Sequence, residues 1–413
     1  MTIWRLRKSS LKDERKNHPW KYSNELNNIG KGHAPGGLVK LEDREGGFVA
    51  YGYGNPLSTI AFRALSTDAD DTEYFTSATI SKKLKAAWDL RIREGFTGSF
   101  RLCFSEADSL PGLVIDYYKT IDAAIFSCQV LTAGMDKLFS EVLYILEQTF
   151  STDWDRTAVI LRSDANIRRL EGLEVKEPIV LKNVFGLDLR NVEILLNSYK
   201  KNLIKVTTDL LGGQKTGFFL DQSFNINCLL DLVSRQDRPL KILDLCSYVG
   251  QWSTHLAHLA QTQDIKMDFT LIDSSQKALD LAKINMERYQ ASARFLKMDV
   301  MDELKHFNEQ FDVVICDPPA FIKSRKHIAT GTHAYQKLNS HAFRLTKPHG
   351  LMVTCSCSGN LSEDDFKEIL NKAMNRAKRQ GTVLLKGGHA ADHPVLKYFP
   401  EGRYLKMFTF RLT

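Results

Sequence analysis

The sequence lacks the cysteine spacings that are typical of zinc and redox sites. Its seven cysteines include no C-x-x-C pair, the spacing found in many zinc sites and in thioredoxin-like centres. Seven is also an odd number, which cannot complete a disulfide framework. We therefore expect neither a bound metal nor disulfide bonds.

Long apolar runs are missing as well. No segment approaches the roughly 20 apolar residues of a membrane-spanning helix, and the start MTIWRLRKSSLKDERK lacks the apolar centre of a signal peptide. With 25 glycines and 11 prolines, the chain is neither collagen-like nor of low complexity. Its 413 residues, 43% hydrophobic and 25% charged, suffice for two or three globular domains. We expect a soluble, cytoplasmic protein that does not bind membranes.

Three regions of the chain differ in their pattern. Residues 1–76 contain short apolar segments separated by glycine pairs, such as GGLVKL and GGFVAYGYGN, which predicts a small β-rich domain in the form of a barrel. Residues 77–190 mix an amphipathic stretch with strand-like runs such as AAIFS and AVILR, which predicts an α+β middle domain. In residues 191–413, apolar strands alternate with helix-length segments. That alternation predicts an α/β domain with a doubly wound, mostly parallel sheet.

The predicted strands of the third region end in polar residues, where open parallel sheets bind their ligands. The first strand leads into LDLCSYVG, which has one glycine and an acidic start instead of the G-x-G-x-x-G that contacts a dinucleotide pyrophosphate. A cationic cofactor without phosphates fits this loop better, and S-adenosylmethionine (SAM) is such a molecule. The predicted cofactor-binding residues are Asp244, Ser247, Tyr248, Gly250, Asp273, Asp299 and Asp317.

Within this set, two aspartates have predicted partners. Asp273 is placed for the ribose hydroxyls and Asp299 for the adenine amino group. The alternative is that each aspartate caps the helix that follows it, since Asp is a favoured N-cap residue. Four acidic strand ends in succession favour cofactor binding over capping. A Rossmann-type oxidoreductase is a further, disfavoured alternative.

A second motif, CDPPAF at 316–321, places Asp317 before a Pro-Pro pair that stiffens the loop. Motifs of this form in SAM enzymes bind the amino group of a base, so this one alone predicts amino-group methylation. The run VTCSCSGN ends the next predicted strand and directs Cys357 toward the same cavity. Carbon 5 of a pyrimidine accepts a methyl group only after a thiolate has added to carbon 6, so a cysteine here predicts carbon-5 methylation. Asp317 would then hold the cytosine amino group and ring nitrogen 3.

The choice of the nucleophilic cysteine is left open by the pattern. Strand alternation places Cys355 and Cys357 on the same face. Cys246 is also ambiguous. The remaining cysteines are interpreted as core packing, and they are Cys103, Cys128, Cys228 and Cys316.

Taken together, these strings resemble the bacterial 23S rRNA cytosine-C5 methyltransferases that have an N-terminal PUA domain (the RlmI type). The resemblance covers nearly the whole chain, through RKNHPWKYS, SLPGLVIDYY, LRSD, GGQKTGFFLDQ, CDPPAF, TCSCSG and HAADHPVLKYFPEGRYLK. It implies a PUA-like RNA-binding domain at 1–76, a Rossmann-like class I SAM-dependent methyltransferase domain at 191–413, and large-subunit rRNA as partner. It also implies that Cys357 is the nucleophile and that Gln222 lies near the amino-acid end of SAM.

Two positions depart from related patterns. Ala320 stands where the related D-A-P-C enzymes have a second cysteine that helps to release the product, so release must use another group. Gln251 follows a single glycine where the family commonly has paired glycines, which implies a slight change in cofactor contacts.

Cationic and aromatic residues in two segments of the chain predict contacts with RNA. The first 31 residues carry eight Lys or Arg against three Asp or Glu, within a formal net charge of +7. The alternative for such runs is an ordinary solvated surface. The predicted RNA-binding residues are Arg15, Lys16, His18 and Trp20 in the amino-terminal segment and Lys323, Arg325 and Lys326 after the Pro-Pro loop.

Three functional hypotheses therefore stand. The first is a SAM-dependent cytosine-C5 methyltransferase of large-subunit rRNA. The second is methylation of a base amino group through DPPAF, and the third is a non-catalytic rRNA-binding assembly factor. The modified nucleotide, the choice between naked rRNA and an assembly particle, the proton acceptor, and a monomeric or homodimeric state stay open.

Overall fold

The computed structural model describes residues 1–7, 17–27, 29, 32–71, 73–150, 153–213 and 216–413. The chain divides into two units, each built from several segments. Unit 1 contains Met1–Val192, Asp209–Leu220 and Ala391–Gly402, and unit 2 contains Glu193–Thr208, Asp221–Ala390 and Arg403–Thr413. Two segments that we predicted within the third domain, 209–220 and 391–402, thus belong to unit 1.

Unit 1 begins with a six-stranded sheet, in the region predicted to be β-rich. Its strands are β1 (Thr2–Leu6), β2 (Trp20–Lys21), β3 (Leu26–Asn27), β4 (Gly37–Glu42), β5 (Phe48–Gly54) and β6 (Phe62–Ser66). Their order is β2-β6-β5-β4-β1-β3, with β1 and β4 parallel and the other pairs antiparallel. The buried ring of Trp4 lies against Gly54, where a Cβ atom would come within 2.4 Å of the indole. This position therefore requires glycine.

The second part of unit 1 joins a five-stranded sheet with helices. The strands are β7 (Phe100–Phe104), β8 (Leu113–Lys119), β9 (Ala124–Val130), β10 (Thr157–Arg162) and β11 (Ile179–Lys182). The helices are α1 (Ser77–Arg93), α2 (Ala133–Lys137) and α3 (Phe139–Phe150). Helix α3 buries Val142, Ile145 and Leu146, the face that the amphipathic pattern predicts. The expectation of an α+β segment is confirmed.

Unit 2 contains a two-stranded sheet and a seven-stranded sheet. The first has strands β12 (Val192–Asn197) and β13 (Leu203–Thr208). The second has β14 (Leu240–Leu245), β15 (Met267–Asp273), β16 (Ser292–Lys297), β17 (Phe311–Cys316), β18 (Thr346–Ser356), β19 (Gly381–Gly387) and β20 (Lys406–Leu412). Its order is β16-β15-β14-β17-β18-β20-β19. Strands β14 to β18 run parallel, and β20 is antiparallel to both of its neighbours.

Helices cover both faces of this sheet, as expected for a doubly wound fold. They are α4 (Ser223–Val233), α5 (Gln251–Gln263), α6 (Gln276–Arg288), α7 (Ile328–Leu345) and α8 (Glu363–Arg376). Alternate strand residues point to opposite cores: Ile242 packs with α4, α5 and α6, whereas Leu243 packs with α7 and α8. The mostly parallel α/β prediction is confirmed. None of the helices in the described ranges is long and apolar enough to cross a membrane.

Candidate active site

The carboxyl end of β14 carries a buried acid whose hydrogen bonding is incomplete. Asp244 is 1% exposed, and its Oδ2 accepts a hydrogen bond of 2.7 Å from Ser253 Oγ. Its Oδ1 and the nearby Ser247 Oγ are buried and have no partner among the described residues. Burial raises the pKa of Asp244 to about 7, and the charges of Asp317 and Asp273 add to the effect. Since buried polar atoms are nearly always bonded, these two oxygens are available to a ligand.

The turn after β14 has an unusual backbone. Cys246 and Tyr248 have φ values of 61° and 50°, in the left-handed region that non-glycine residues rarely occupy. Gly250 follows with φ 75°, and a Cβ there would lie 3.0 Å from Leu271 Cδ2 and 3.2 Å from Ala282 Cβ. The turn therefore places these strained residues at the carboxyl end of the parallel sheet, the edge at which such sheets bind their ligands.

The two aspartates that end the next strands differ in their contacts. Asp273 accepts the backbone N–H groups of Tyr248 at 2.9 Å and Ser275 at 2.8 Å, so it ties the loops after β14 and β15 together. Asp299 is exposed and accepts the N–H of Met301 at 2.8 Å. Asp299 thus makes a local turn contact, whereas Asp273 joins two loops. The N-cap of α6 is Ser275 and not Asp273.

Asp317 ends β17 and is held by side chains of the neighbouring helices. Its Oδ2 accepts hydrogen bonds from Gln222 Nε2 at 2.8 Å and Trp252 Nε1 at 3.1 Å. Gln222 Oε1 in turn accepts from Asn225 Nδ2 at 2.7 Å. The sequence reasoning named Asp317 and Gln222 but missed Trp252 and Asn225, for which the sequence offers no signal beyond their place near the two motifs.

The cysteines at the end of β18 differ in exposure. Cys355 is fully buried, and burial raises the pKa of its thiol well above the ordinary value. Cys357 is partly exposed. Burial likewise raises the pKa values of Cys246 and Cys316 far above their usual range. A reagent or substrate in solution therefore reaches Cys357 more readily than Cys355 or Cys316, which are fully buried.

A hydrogen-bonded group fixes the residues on either side of Cys357. Ser356 Oγ donates to Tyr335 Oη at 3.0 Å, and Tyr335 Oη lies 2.9 Å from Ser358 Oγ. Ser358 Oγ also accepts the N–H of Ile322 at 3.1 Å. Because Ile322 directly follows the DPPAF loop, this bond joins the two motif loops.

A buried lysine, which sequence reasoning missed, lies on the other side of the Cys357 loop. Lys406 Nζ donates to the carbonyl oxygens of Ser358 at 2.7 Å and Leu361 at 2.6 Å. Burial lowers its pKa to about 8, while the charges of Cys357 and Glu363 oppose that shift. The tail string that contains Lys406 was part of the family resemblance, but nothing in the string indicates this contact.

Two predicted RNA-binding residues have their contacts inside unit 1. His18 is 5% exposed, and its Nε2 lies 3.0 Å from Glu401 Oε2. Trp20 Nε1 donates to Glu106 Oε1 at 2.6 Å, and its ring packs edge-on against Phe399 with centroids 4.7 Å apart. His18 is buried and Trp20 is half-buried, and both side chains are bonded within unit 1, where we had expected exposed contacts with RNA.

The other predicted RNA-binding residues divide into two groups. Arg15 and Lys16 lie outside the described residues. Lys323, Arg325 and Lys326 are exposed at the loop and the short 3₁₀ turn that follow DPPAF.

The described residues contain no group of three or more His, Cys, Asp or Glu side chains that could hold a metal ion. In unit 2, His389 Nε2 accepts the N–H of Leu405 at 3.0 Å. In unit 1, the buried Asp392 accepts the N–H of Arg101 at 2.9 Å and lies 2.8 Å from His393 Nδ1. His389, Asp392 and His393 are close neighbours in the sequence, but His389 is bonded within unit 2 and the other two are bonded within unit 1.

Comparisons with known proteins agree with this architecture. A PUA-like domain model matches residues 5–67, and a methyltransferase domain model matches residues 236–398. Ribosomal RNA large subunit methyltransferase I of Photobacterium profundum is 32% identical over 97% of both chains, and that of Tolumonas auensis is 30% identical over 98% of both. The chain belongs to the ribosomal RNA large subunit methyltransferase I family. It is a SAM-dependent methyltransferase.

Solved structures show the same fold. One, described as a methyltransferase complexed with SAH, has a TM-score of 0.78 and 18% identity, with both chains fully covered. Another, a SAM-dependent methyltransferase from Streptococcus mutans, has a TM-score of 0.76 and 19% identity over the same coverage. The residues of this site suit the cofactor, because the unpartnered oxygens of Asp244 and Ser247 lie among acids whose negative charge complements an ammonium and a sulfonium group.

Proposed function

We propose that this enzyme methylates carbon 5 of a cytosine in large-subunit rRNA through a covalent bond between Cys357 and carbon 6. The relatives match over nearly the full length of both chains. Their names support large-subunit rRNA as the substrate. The observation that carries the carbon-5 chemistry is the partly exposed Cys357, whose loop is bonded to the DPPAF loop through Ser358 and Ile322.

The proposed reaction begins with attack of the Cys357 thiolate on carbon 6, which makes carbon 5 nucleophilic. Carbon 5 then takes the methyl group that SAM provides. A base removes the proton from carbon 5, and the electrons of that C–H bond re-form the ring double bond as the thiolate leaves. Asp317 binds the cytosine amino group and ring nitrogen 3 and so stabilises the charge that develops in the ring.

The cofactor residues of this proposal are those at the ends of β14, β15 and β17, with Gln222 beside them. The contacts of Asp317 with Gln222 and Trp252 support a site in which cofactor and base meet at this carboxylate. Asp299 keeps its proposed contact with adenine, to which its exposed carboxylate offers a further acceptor. The proposed set is Gln222, Asp244, Ser247, Tyr248, Gly250, Asp273, Asp299 and Asp317.

RNA contacts beside this site are assigned to Lys323, Arg325 and Lys326. Their exposure supports the assignment, as does their position directly after the motif that would hold the base. Three cations there can bind phosphates that flank the target nucleotide. The target base itself must leave any stack to reach Cys357.

The decisive experiment is incubation with tritiated SAM and unmodified rRNA, followed by nucleoside analysis. We expect label in 5-methylcytidine with the wild type and a loss of at least about a thousandfold in Cys357→Ala, because the covalent route has no substitute. Cys228→Ala is the matched control, since Cys228 is also partly exposed but lies in α4, and it should keep wild-type turnover.

A second readout tests the covalent bond itself. RNA with 5-fluorocytidine should trap the wild type as a complex that survives a denaturing gel, because the fluorine cannot be removed as a proton. Cys357→Ala should form no such complex. Label in a methylated purine would overturn the cytosine carbon-5 proposal. Label on an exocyclic amine with Cys357→Ala fully active would instead establish amino-group methylation through DPPAF.

A further inference from the structure

We infer that Lys406 is a positioning residue that holds Cys357 as a thiolate and fixes the loop on which it lies. The inference rests on the proposed function and extends it, since it names the group that activates the nucleophile. It depends on three observations: the hydrogen bonds of Lys406, its missing counter-ion and the neighbours of Cys357.

The first observation is the place of Lys406 in the sheet. It is paired with Ser356 in the register of β18 and β20. From there its ammonium group donates to the carbonyls of Ser358 and Leu361. Cys357 lies between Ser356 and Ser358 in the chain. Lys406 therefore contacts the backbone on both sides of the cysteine.

The second observation is the lack of a carboxylate partner. Lys406 is 5% exposed, and within the described ranges it forms no ion pair with Asp or Glu. The charge of Glu363 acts on Lys406, but this carboxylate is bonded to Lys386 at 2.8 Å. A buried charge without a counter-ion is unfavourable because it loses its hydration without gaining a compensating charge. The thiolate of Cys357 is the anion that can compensate it.

The third observation concerns the other titratable groups that face Cys357. Tyr335 contributes from α7, and burial raises its pKa to about 12, so it stays neutral. Cys355 on β18 stays neutral for the same reason. The positive charge of Lys406, on β20, acts on the cysteine, and an adjacent cation favours the thiolate form.

The test measures alkylation of Cys357 by iodoacetamide against pH in the full-length protein, without RNA or SAM. Modification is quantified on the Cys357 peptide by mass spectrometry, so that the other cysteines do not contribute. In Lys406→Met we expect the pH midpoint to rise by at least about one unit, in line with the effect of a neighbouring charge, with a roughly tenfold slower reaction at neutral pH. Lys406→Arg should restore most of the wild-type profile because it keeps the charge.

Lys386→Met is the matched control, because Lys386 is an exposed lysine of the adjoining strand β19, and it should leave the midpoint unchanged. Circular dichroism establishes that each variant is folded, and the Cys228 peptide gives an internal reference in each sample. An unchanged Cys357 midpoint in folded Lys406→Met would overturn the inference. Because alkylation needs neither RNA nor methyl transfer, this result is separate from failure of the proposed reaction.

Discussion

Buried charged side chains have different kinds of partners in the two units. In unit 1, Arg63 bonds Glu106 at 3.2 Å and Glu171 at 3.0 Å, and all three side chains are nearly inaccessible. In unit 2, among the described residues, the buried Asp244 has one oxygen without a partner, and the buried Lys406 donates to two carbonyls and has no carboxylate partner. The contrast separates two uses of buried charge. Buried charges that compensate each other in ion pairs stabilise the fold, whereas a buried charge without a counter-ion among the described residues can interact with a ligand or a reacting atom.

The largest effect on stability should come from breaking the ion-pair cluster of Arg63, Glu106 and Glu171. Arg63→Met leaves Glu106 and Glu171 buried without their cation, and removal of one partner from such a group costs about 3 to 5 kcal/mol. Urea denaturation followed by intrinsic fluorescence measures the loss. Lys176→Met serves as control, because Lys176 pairs with Glu174 on the surface and should cost less than about 1 kcal/mol. Equal losses in the two variants would remove the distinction between the cluster and the surface pair.

Replacement of Asp244 should have the opposite effect, with a change in ligand binding and no loss of stability. Asp244→Asn should weaken SAM binding by about ten- to a hundredfold, as expected when a hydrogen bond to a charged group is lost. The folded protein should not be destabilised at pH 7.5, because a neutral amide replaces a buried acid. Isothermal titration calorimetry gives the affinity, and thermal unfolding gives the stability.

The dependence of stability on pH gives a second test of the role of Asp244. Because the folded-state pKa of Asp244 is raised from 3.8 to about 7, the folded protein binds a proton more tightly than the unfolded chain does. Stability of the ligand-free protein should therefore fall as the pH rises from about 4 to about 7, and Asp244→Asn should lack that fall. A cationic ligand favours the carboxylate, so SAM binding near pH 7 should release protons in the wild type and fewer in the variant.

Asp312→Asn is the matched control for Asp244→Asn. Asp312 is also buried in the parallel sheet, but Arg238 and Lys347 bind it, and their bonds lower its pKa. The variant should lose stability and keep its SAM affinity. If Asp312→Asn weakened SAM binding as much as Asp244→Asn, the unpartnered oxygen would not be the cofactor contact.

The smallest effects should come from the solvated cations beside the site. Removal of one of Lys323, Arg325 or Lys326 by alanine should weaken rRNA binding severalfold and reduce the slope of log affinity against log salt by about one. SAM affinity should not change. Filter binding at several salt concentrations measures the slope, and an unchanged slope in all three variants would place the RNA elsewhere.

The parts of the structure that the sequence predicts are those with local signals. The apolar runs that became β14, β15 and β17 each end in an acid, so both the strands and Asp317 can be found without coordinates. The motif around Cys357 is local in the same sense. The structure adds to it the difference in exposure between Cys355 and Cys357, which strand alternation could not supply.

Contacts over long sequence distances could not be predicted in this way. Lys406 is 48 residues from Ser358 and meets it only through the register of two strands. His18 looks like part of a basic, exposed segment, yet its partner Glu401 is 383 residues away. Patterns within a short window contain no information about such partners. We therefore expected His18 to be exposed, whereas it is buried, and no pattern in the sequence singled out Lys406.

The contribution of residues 391–402 to unit 1 has a consequence for biosynthesis. Phe399 and Glu401 contact Trp20 and His18, so the amino-terminal part of the chain waits for partners that the ribosome makes hundreds of residues later. Unit 1 therefore cannot complete its packing during translation of its own first segment. A fragment that stops near residue 192 would also lack these partners, and isolated expression of the amino-terminal half would leave His18 and Trp20 uncovered.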